Sequence, residues 1–222
     1  MNQIDRGTIN YRDELLRKMI HLCSLSIPVI YYFIPRFEAI VILSIFAFAA
    51  ITLDLSRYFS PAIGKVFYKY FGFMLRRHEL DAKKKNLNGA TYVFLSALLC
   101  VILFPKIIFL TAFTILIISD TFAALIGRKY GTHKFLAKSL EGTLAFFVTG
   151  IIVIFFTPKL LYAPAEYYMA VFACAIGAIV ENVSFGITDD NFSIPISIGL
   201  ILWGLYLHFF PGVELVLRSV PN

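Results

Sequence analysis

Long apolar stretches alternate with short polar segments along almost the whole chain. Seven of these stretches approach the roughly 20 residues that a helix needs to cross a bilayer. The predicted spans lie at about 15–34, 37–56, 88–105, 107–126, 143–161, 166–185 and 193–210. The runs lack the alternation of barrel strands, and backbone in hydrocarbon must pair internally. The pattern therefore predicts an all-α integral membrane protein, with residues 1–222 forming a single bundle of about seven transmembrane helices.

A different pattern follows the second predicted span. Apolar residues recur there at intervals of three and four, at Ile63, Val66, Phe67, Tyr70, Phe71 and Met74. Lys65, Lys69 and Arg76 fall on the opposing face, as is typical of a helix that lies flat on an anionic leaflet. We expect an interfacial amphipathic helix between spans two and three.

Composition agrees with a membrane environment, because 59% of the 222 residues are hydrophobic and only 15% are charged, unlike an ordinary soluble domain. Cys23, Cys100 and Cys174 lie in different apolar runs without C-x-x-C spacing, and we expect buried, inert thiols. The first span has no small-residue cleavage site after it, so a retained anchor is expected rather than a signal peptide.

Positive charge is distributed unevenly between alternate loops. Sixteen of the 20 Lys and Arg residues precede the first span or follow the second and fourth spans. The other four are Arg36, Lys106, Lys159 and Arg218. Because Lys and Arg are retained in cytoplasmic loops, we expect a cytoplasmic N-terminus and an outer C-terminus, in the inner membrane of a bacterium or the endoplasmic reticulum of a eukaryote.

Polar residues gather at the cytoplasmic ends of the predicted spans. They are Arg17, Lys18, His21, Asp54, Arg57, Asn88, Gly89, Thr91, Ser119, Asp120, Glu181, Asn182, Asp189, Asp190 and Asn191. Ionisable groups in spans are costly, so each is a functional hypothesis. Asp54 and Arg57 are three residues apart, and mutual neutralisation explains that pair equally well.

Besides Asp54, four of these residues are carboxylates, and they come from three separate segments. They are Asp120, Glu181, Asp189 and Asp190. They would repel one another unless a cation lay among them, and carboxylates without clustered His or Cys suit a hard ion such as Mg²⁺ or another divalent cation. We expect a metal site.

The loop after the fourth span supplies complementary basic residues, Arg128, Lys134 and Lys138. Gly127 and Gly131 would let backbone N–H groups approach an anion, and the helix that begins after Lys138 would attract phosphate with its N-terminus. Carboxylates and bases around a metal are typical of phosphoryl transfer from a nucleoside triphosphate. A transporter also gathers charges in its spans, usually near the midplane, and the residues alone leave both functions open.

Five segments occur in order along nearly the whole chain: RKMIHL, NGATYVFL, SDTFAALIGRKYGTHKF, KSLEGT and DDNFSIPI. Together they resemble the dolichol kinase, phytol kinase and fungal diacylglycerol kinase family. The resemblance implies a multi-pass lipid kinase that takes its phosphate from CTP, or in some members another nucleotide, and needs a divalent metal. The implied substrate is a lipid alcohol: a polyprenol, phytol or diacylglycerol.

The resemblance assigns residues to the family's motifs. Asp120 matches the aspartate of D-T-x-A, although Ser119 stands where many members have glycine. The other matching residues, with Glu141 in a variable place, are Arg17, Lys18, His21, Gly127, Arg128, Lys138, Ser139, Glu141, Gly142, Asp190, Asn191 and Pro195. We expect these residues, apart from Lys18, His21, Asp190 and Pro195, to contact the nucleotide, together with Asn88, Gly131 and Lys134.

In the resulting hypothesis, Asp120 and Asp190, with Glu181 or Asp189, hold Mg²⁺ on the triphosphate. Lys138, Arg128 and Lys18 neutralise its oxygens. The lipid hydroxyl enters sideways from the bilayer and gives its proton to His21 or to a carboxylate, with Asp120 an equal candidate.

The alternative is a CTP-dependent cytidylyltransferase that acts on a phospholipid such as phosphatidate. It would hold the same nucleotide but react at the α-phosphate, although the PGHGG and DR-D elements of that family are missing. The expected partners are the lipid alcohol, the nucleotide and the bilayer, with no nucleic acid, and the oligomeric state stays open.

Overall fold

The computed structural model describes residues 10–72, 75, 87–184, 189–218 and 220–221. The sequence-based predictions for Arg6, Met74, Arg76, Arg77 and the lysines at 83–85 fall outside this part of the chain. Within it lie nine helices and one hairpin. They are α1 (Tyr11–Cys23), α2 (Ser26–Phe33), α3 (Arg36–Phe59), α4 (Pro61–Phe71), α5 (Gly89–Leu103), α6 (Lys106–Tyr130), β1 (Lys134–Phe135), β2 (Lys138–Ser139), α7 (Leu140–Phe156), α8 (Pro164–Val183) and α9 (Asp190–Phe209).

Four of these helices, α3, α6, α8 and α9, are long and apolar enough to cross a membrane. α5 and α7 are equally apolar but shorter, with 15 and 17 residues. The prediction of an all-helical, multi-pass membrane protein is thus confirmed for the described residues. The number of seven spans stays a prediction.

The first predicted span, 15–34, is two helices rather than one. α1 ends at Cys23 and α2 begins at Ser26, with a turn between them. Pro28 has no N–H to donate to the Ser24 carbonyl four residues earlier, and its ring would clash with that carbonyl in a continuous helix. The Ser24 carbonyl instead accepts the N–H of Ile27 at 2.9 Å. The break therefore follows from Pro28, which a count of consecutive apolar residues does not take into account.

α6 is the central helix of the bundle. It packs against α1, α2, α5, α7, α8 and α9, and its side chains from Ile107 to Phe113 are buried on every face. Phe109 and Phe113 stack with ring centroids 5.0 Å apart, and Tyr31 of α2 meets the edge of Phe109 at 5.1 Å. A helix that is apolar all round can be buried all round, and this burial fixes the position of Asp120, which lies about two turns after Phe113 in α6.

α3, α4 and α5 form the flank of the bundle, since α3 packs on both α4 and α5. The predicted amphipathic helix is present as α4, with Val66 and Tyr70 exposed and Phe67 buried. Phe67 lies under the guanidinium of Arg57, 4.8 Å from its ring centroid. Asp54 Oδ1 lies 3.0 Å from Arg57 Nε, which confirms that this pair neutralises itself.

The cysteine prediction is partly wrong. Cys100 and Cys174 are buried, as expected, but Cys23 is exposed at the end of α1. Its helix buries the face that carries Glu14 and Lys18, and Cys23 lies on the opposite face beside Met19. In a membrane protein, residues that face lipid and residues that face protein are both apolar, so an apolar run does not distinguish between them.

Candidate active site

Three helices begin at the end of the bundle where α6 finishes, and each has a side-chain cap. Asn88 caps α5, Ser139 caps α7 and Asp189 caps α9, each accepting a backbone N–H of the first turn. Asn191 Nδ2 donates to the Gly89 carbonyl oxygen at 3.4 Å and so joins the start of α9 to the start of α5. Because a helix N-terminus carries partial positive charge, their convergence favours an anionic ligand.

Three carboxylates meet at this end of the bundle: Asp120 of α6, Glu181 of α8 and Asp190 of α9. One oxygen from each lies within 4.8 Å of the other two, and all three residues are buried. We call them the carboxylate triad. Oxygen donors at this spacing fit a hard divalent cation, since ligand distances of about 2.1 Å for Mg²⁺ to about 2.6 Å for Ca²⁺ put opposed oxygens roughly 4 to 5 Å apart.

Two lysines neutralise the triad from opposite sides. Lys18 Nζ of α1 donates to Asp120 Oδ2. Lys138 Nζ of the hairpin lies 2.6 Å from Glu181 Oε1 and 3.2 Å from Asp190 Oδ2. Burial would lower the pKa of Lys138, but the Asp190 and Glu181 carboxylates raise it to about 12. Lys138 is therefore a permanent cation at physiological pH.

α1 also contributes His21, whose Nε2 lies 3.6 Å from Asp120 Oδ2. One turn before Lys18, Glu14 is buried and binds two guanidinium groups, those of Arg17 at 2.6 Å and Arg128 at 3.4 Å. Sequence analysis did not single out Glu14. Its position three residues before Arg17 was the available signal. Through Glu14, α1 holds two arginines that are predicted to bind the nucleotide, one from α1 itself and one from the end of α6.

The hairpin that carries Lys138 is held by Asn182 of α8. Asn182 Oδ1 accepts the N–H groups of Ala137 at 2.8 Å and Lys138 at 3.0 Å, and Nδ2 donates to Thr143 Oγ1 at 2.7 Å. The hairpin pairs Phe135 with Lys138. Sequence analysis placed Asn182 among the cytoplasmic polar residues without giving it a role. A wholly buried amide directly after Glu181 is a positioning group for the lysine.

The predicted glycines serve close helix packing. A Cβ on Gly127 would lie 2.9 Å from Ser139 Oγ and 3.2 Å from the Gly142 Cα, and a Cβ on Gly131 would lie 2.8 Å from the Ser139 Cβ. α6 and α7 therefore cross in near backbone contact at the site. The structure needs glycine at these positions for packing, which the expectation of anion contact did not consider.

Three other predicted site residues lie outside the triad. Glu141 is on the exposed side of the hairpin, where it accepts hydrogen bonds from Thr132 Oγ1 at 2.7 Å and from the His133 N–H at 3.1 Å. Lys134 is exposed on β1. Asp189 Oδ1 accepts from Asn191 Nδ2 at 2.7 Å besides capping α9. Of the four predicted metal ligands, the structure brings three together.

Similar proteins include an uncharacterized protein of Rickettsia prowazekii, 30% identical over 191 residues that cover 86% of this chain and 93% of the relative. A CTP-dependent diacylglycerol kinase 1 of Saccharomyces cerevisiae is 27% identical over 221 residues, covering 88% of this chain and 74% of the kinase. The protein of the same name from Schizosaccharomyces pombe is 28% identical over a region that covers 69% of this chain and 75% of the relative. Over most of its length the chain is thus a distant homologue of CTP-dependent diacylglycerol kinase 1, of the polyprenol kinase family.

The five segments that resembled the polyprenol kinase family are remote in sequence but adjacent in the structure. They supply the middle of α1, the starts of α5 and α9, the end of α6, and the hairpin with the start of α7. A comparison with models of known protein families gives no match, and no solved structure matches the chain.

Proposed function

We propose that this protein is a CTP-dependent lipid kinase, which transfers the γ-phosphate of the nucleotide to the hydroxyl of a membrane lipid alcohol at the cytoplasmic face. The observation that carries the proposal is the triad of Asp120, Glu181 and Asp190 between two lysines, where three helices begin. Relatives named CTP-dependent diacylglycerol kinase support the donor and the kind of acceptor. A polyprenol, phytol or diacylglycerol would each serve as the acceptor.

The carboxylate triad would hold a divalent cation, Mg²⁺ in our proposal. When bound, such a cation neutralises the charge on the phosphoryl oxygens during transfer. Lys138 and Lys18 now neutralise the triad, so they would be released to bind phosphate oxygens when metal and nucleotide arrive together. Buried carboxylates and buried lysines thus exchange partners rather than losing them, which avoids an unpaired buried charge.

The two lysines divide the site into two sides. Lys138, on a hairpin outside the spans, faces the cytoplasm from which the nucleotide comes. Lys18 and His21 lie on α1, next to the apolar part of the bundle from which the lipid comes. During transfer the lipid oxygen forms a bond to the γ-phosphorus, the bond from that phosphorus to the β-phosphate oxygen breaks, and CDP leaves. The hydroxyl proton goes to His21 or to Asp120. His21 Nε2 and Asp120 Oδ2 are 3.6 Å apart, so a hydroxyl bound beside one is also close to the other.

The proposal is tested with purified protein in vesicles that contain a total lipid extract. CTP radiolabelled at the γ-phosphate is expected to label a lipid, whereas CTP labelled at the α-phosphate is expected to label none. Lipid that carries the α-label, with release of pyrophosphate, would identify a cytidylyltransferase instead. Parallel reactions with ATP, GTP and UTP establish the donor.

A transporter makes the opposite forecast in the same vesicles. It requires solute flux across a sealed membrane without nucleotide. Flux in the absence of lipid labelling would overturn the kinase proposal.

A further inference from the structure

A cavity of about 400 Å³ opens beside the carboxylate triad. Its polar end is lined by Lys18, His21 and Asp120. Neither Lys138 nor Glu181 is among the described residues that line the cavity. Lys138 nevertheless contacts Asp190, and Glu181 belongs to the triad. The cavity therefore meets the triad at Asp120 and Asp190, away from the hairpin lysine, and three residues expected to contact the nucleotide, Arg17, Asn88 and Asn191, also line its polar end.

Away from this polar end, which also includes Ser24, Thr91 and Asp190, the cavity wall is apolar. One face of α3 lines it with Phe46, Ala49, Ala50 and Leu53, a spacing of three and four that extends about 10 Å along a helix. Phe94 of α5 stacks on Phe46 with ring centroids 5.5 Å apart and closes the end remote from the triad. Because the side chains of Ala49 and Ala50 are small, the cavity stays open between its polar end and Phe94.

The cavity lies between two groups of helices. α1 packs on α6, whereas α3 packs on α4 and α5, and the space between α1 and α3 remains. Its rim carries Ile20 of α1 and Leu53 of α3, which are 49% and 52% exposed. Large apolar side chains on the rim of an opening in a membrane-embedded bundle face hydrocarbon, so an apolar chain crosses this rim without losing contact with an apolar environment.

We propose that this cavity, the α1–α3 cleft, binds the hydrocarbon tail of the acceptor lipid next to its hydroxyl, and that Ala49 and Ala50 set the width of tail that it accepts. The inference rests on the proposed kinase function. The occupant is a hydrocarbon because an apolar space that opens directly onto His21 and Asp120 must be filled by whatever carries the reacting hydroxyl. Diacylglycerol and polyprenol share this chemistry, and the lipid reaches the cleft sideways between α1 and α3.

The width of the cleft is tested with Ala50→Phe, and with Ala49→Phe as a second variant at an exposed position that tolerates bulk more easily. Ser44→Phe is the matched control, because it adds a ring of the same size to an exposed position of α3 that does not line the cleft. Both cleft variants are expected to lower kcat/KM for long-chain diacylglycerol or polyprenol at least tenfold, while a short-chain alcohol changes less than twofold. Equal rates on long-chain lipids in folded cleft variants and Ser44→Phe would overturn the proposal.

Cross-linking tests the same cleft without relying on turnover. A diacylglycerol and a polyprenol, each with a diazirine in the tail, are activated by light in vesicles, and the modified peptides are mapped by mass spectrometry. Cross-links are expected within 46–53 and at 20–24, and unlabelled lipid should compete with them. The control surface is a second groove of about 760 Å³ between α2, α6 and α7, lined by Val29, Phe122 and Phe155.

The outcomes separate the two proposals. Cross-links confined to the α2–α6–α7 groove, or spread evenly over the outer surface, would overturn the cleft even if the lipid is phosphorylated. Competed cross-links in the cleft without phosphorylation by any triphosphate would support the cleft and overturn the proposed kinase function. The arm that gives the stronger competed labelling identifies the lipid that the cleft prefers.

Discussion

At the scale of single residues, Asp120 is the carboxylate on which the candidate site depends. It lies in the second half of α6, where that helix is still buried, and its Oδ2 faces Lys18 and, at 3.6 Å, the His21 ring. The sequence pointed to Asp120 because a carboxylate ends an apolar run. Which side chains surround it follows from α1 packing on α6, a contact between segments about 100 residues apart that no local pattern specifies.

Asp120→Asn is expected to reduce lipid phosphorylation at least about 10²- to 10³-fold, the scale of losing one charge-stabilising group in an active site. The amide removes the negative charge that the proposed metal and Lys18 both require. The measurement is γ-label transfer by purified protein, with thermal unfolding to confirm folding. Retention of most of the rate in folded protein would remove Asp120 from the chemistry.

Asp189→Asn is the companion variant. Asparagine caps a helix as well as aspartate does, so the start of α9 should be preserved and activity should fall less than about threefold. A loss as large as that of Asp120→Asn would place Asp189 among the metal ligands after all.

Lys138→Met is expected to strengthen nucleotide-free metal binding while it weakens phosphoryl transfer. A cation 2.6 Å from Glu181 and 3.2 Å from Asp190 competes with a metal for the same oxygens. Even at an effective dielectric near 20 the repulsion is a few kcal/mol, so Mn²⁺ affinity should rise at least about tenfold. Electron paramagnetic resonance of free Mn²⁺ measures it, with the exposed Lys134→Met as control. Unchanged Mn²⁺ affinity in Lys138→Met would show that the metal does not use these oxygens.

At the scale of elements, the caps and charges at the two ends of the bundle have different roles. At the end of the bundle that is predicted to face outward, three of the four cations that run against the positive-inside bias bind carbonyl groups of the protein. Lys159 donates to the Ile154 carbonyl at the end of α7, Arg36 to the Val101 carbonyl of α5, and Lys106 to the Ile34 carbonyl after α2. Cations at helix C-termini are stabilised by the helix dipole, so these residues do not weaken the inferred topology.

Gly142→Ala is expected to destabilise the protein by about 1–3 kcal/mol, the usual cost of overpacking. The added Cβ would lie 3.0 Å from the Ala123 carbonyl oxygen and 3.2 Å from the Gly127 Cα, so α6 and α7 must separate and carry the Lys138 hairpin with them. Gly204→Ala is the control, because a Cβ there meets nothing within 4 Å. Thermal unfolding in detergent compares the two. Equal melting temperatures would contradict the close α6–α7 crossing.

At the scale of the whole molecule, several of the polar residues predicted for one side of the membrane meet at one site. Lys18, Asp120 and Lys138 come from three separate segments and meet at the triad. The four long apolar helices identify a multi-pass membrane protein, and the direction in which the cluster faces rests on the charge bias of the loops.

The orientation is tested with single cysteines in a Cys23→Ser background, since Cys100 and Cys174 are buried. A membrane-impermeant maleimide added to intact cells is expected to label Glu214→Cys near the outer end and not Lys134→Cys on the hairpin; both positions are exposed. Lysis should make the second site reactive. The reverse pattern would place the triad outside, away from cytoplasmic nucleotide.

The sequence by itself determined that the chain is helical and lies in a membrane, because hydrophobic length and the cost of unpaired backbone are local properties of each segment. It also predicted that the candidate site residues lie near one membrane face, because a span brings its two ends to opposite sides. Only the tertiary structure decided that Asp120, Glu181 and Asp190 share a site while Asp189 caps α9, that Asn182 holds the Lys138 hairpin, and that the first span is broken above Pro28. Those outcomes depend on how helices rotate and approach one another around α6, and packing between distant segments has no signature in the hydropathy of any one of them.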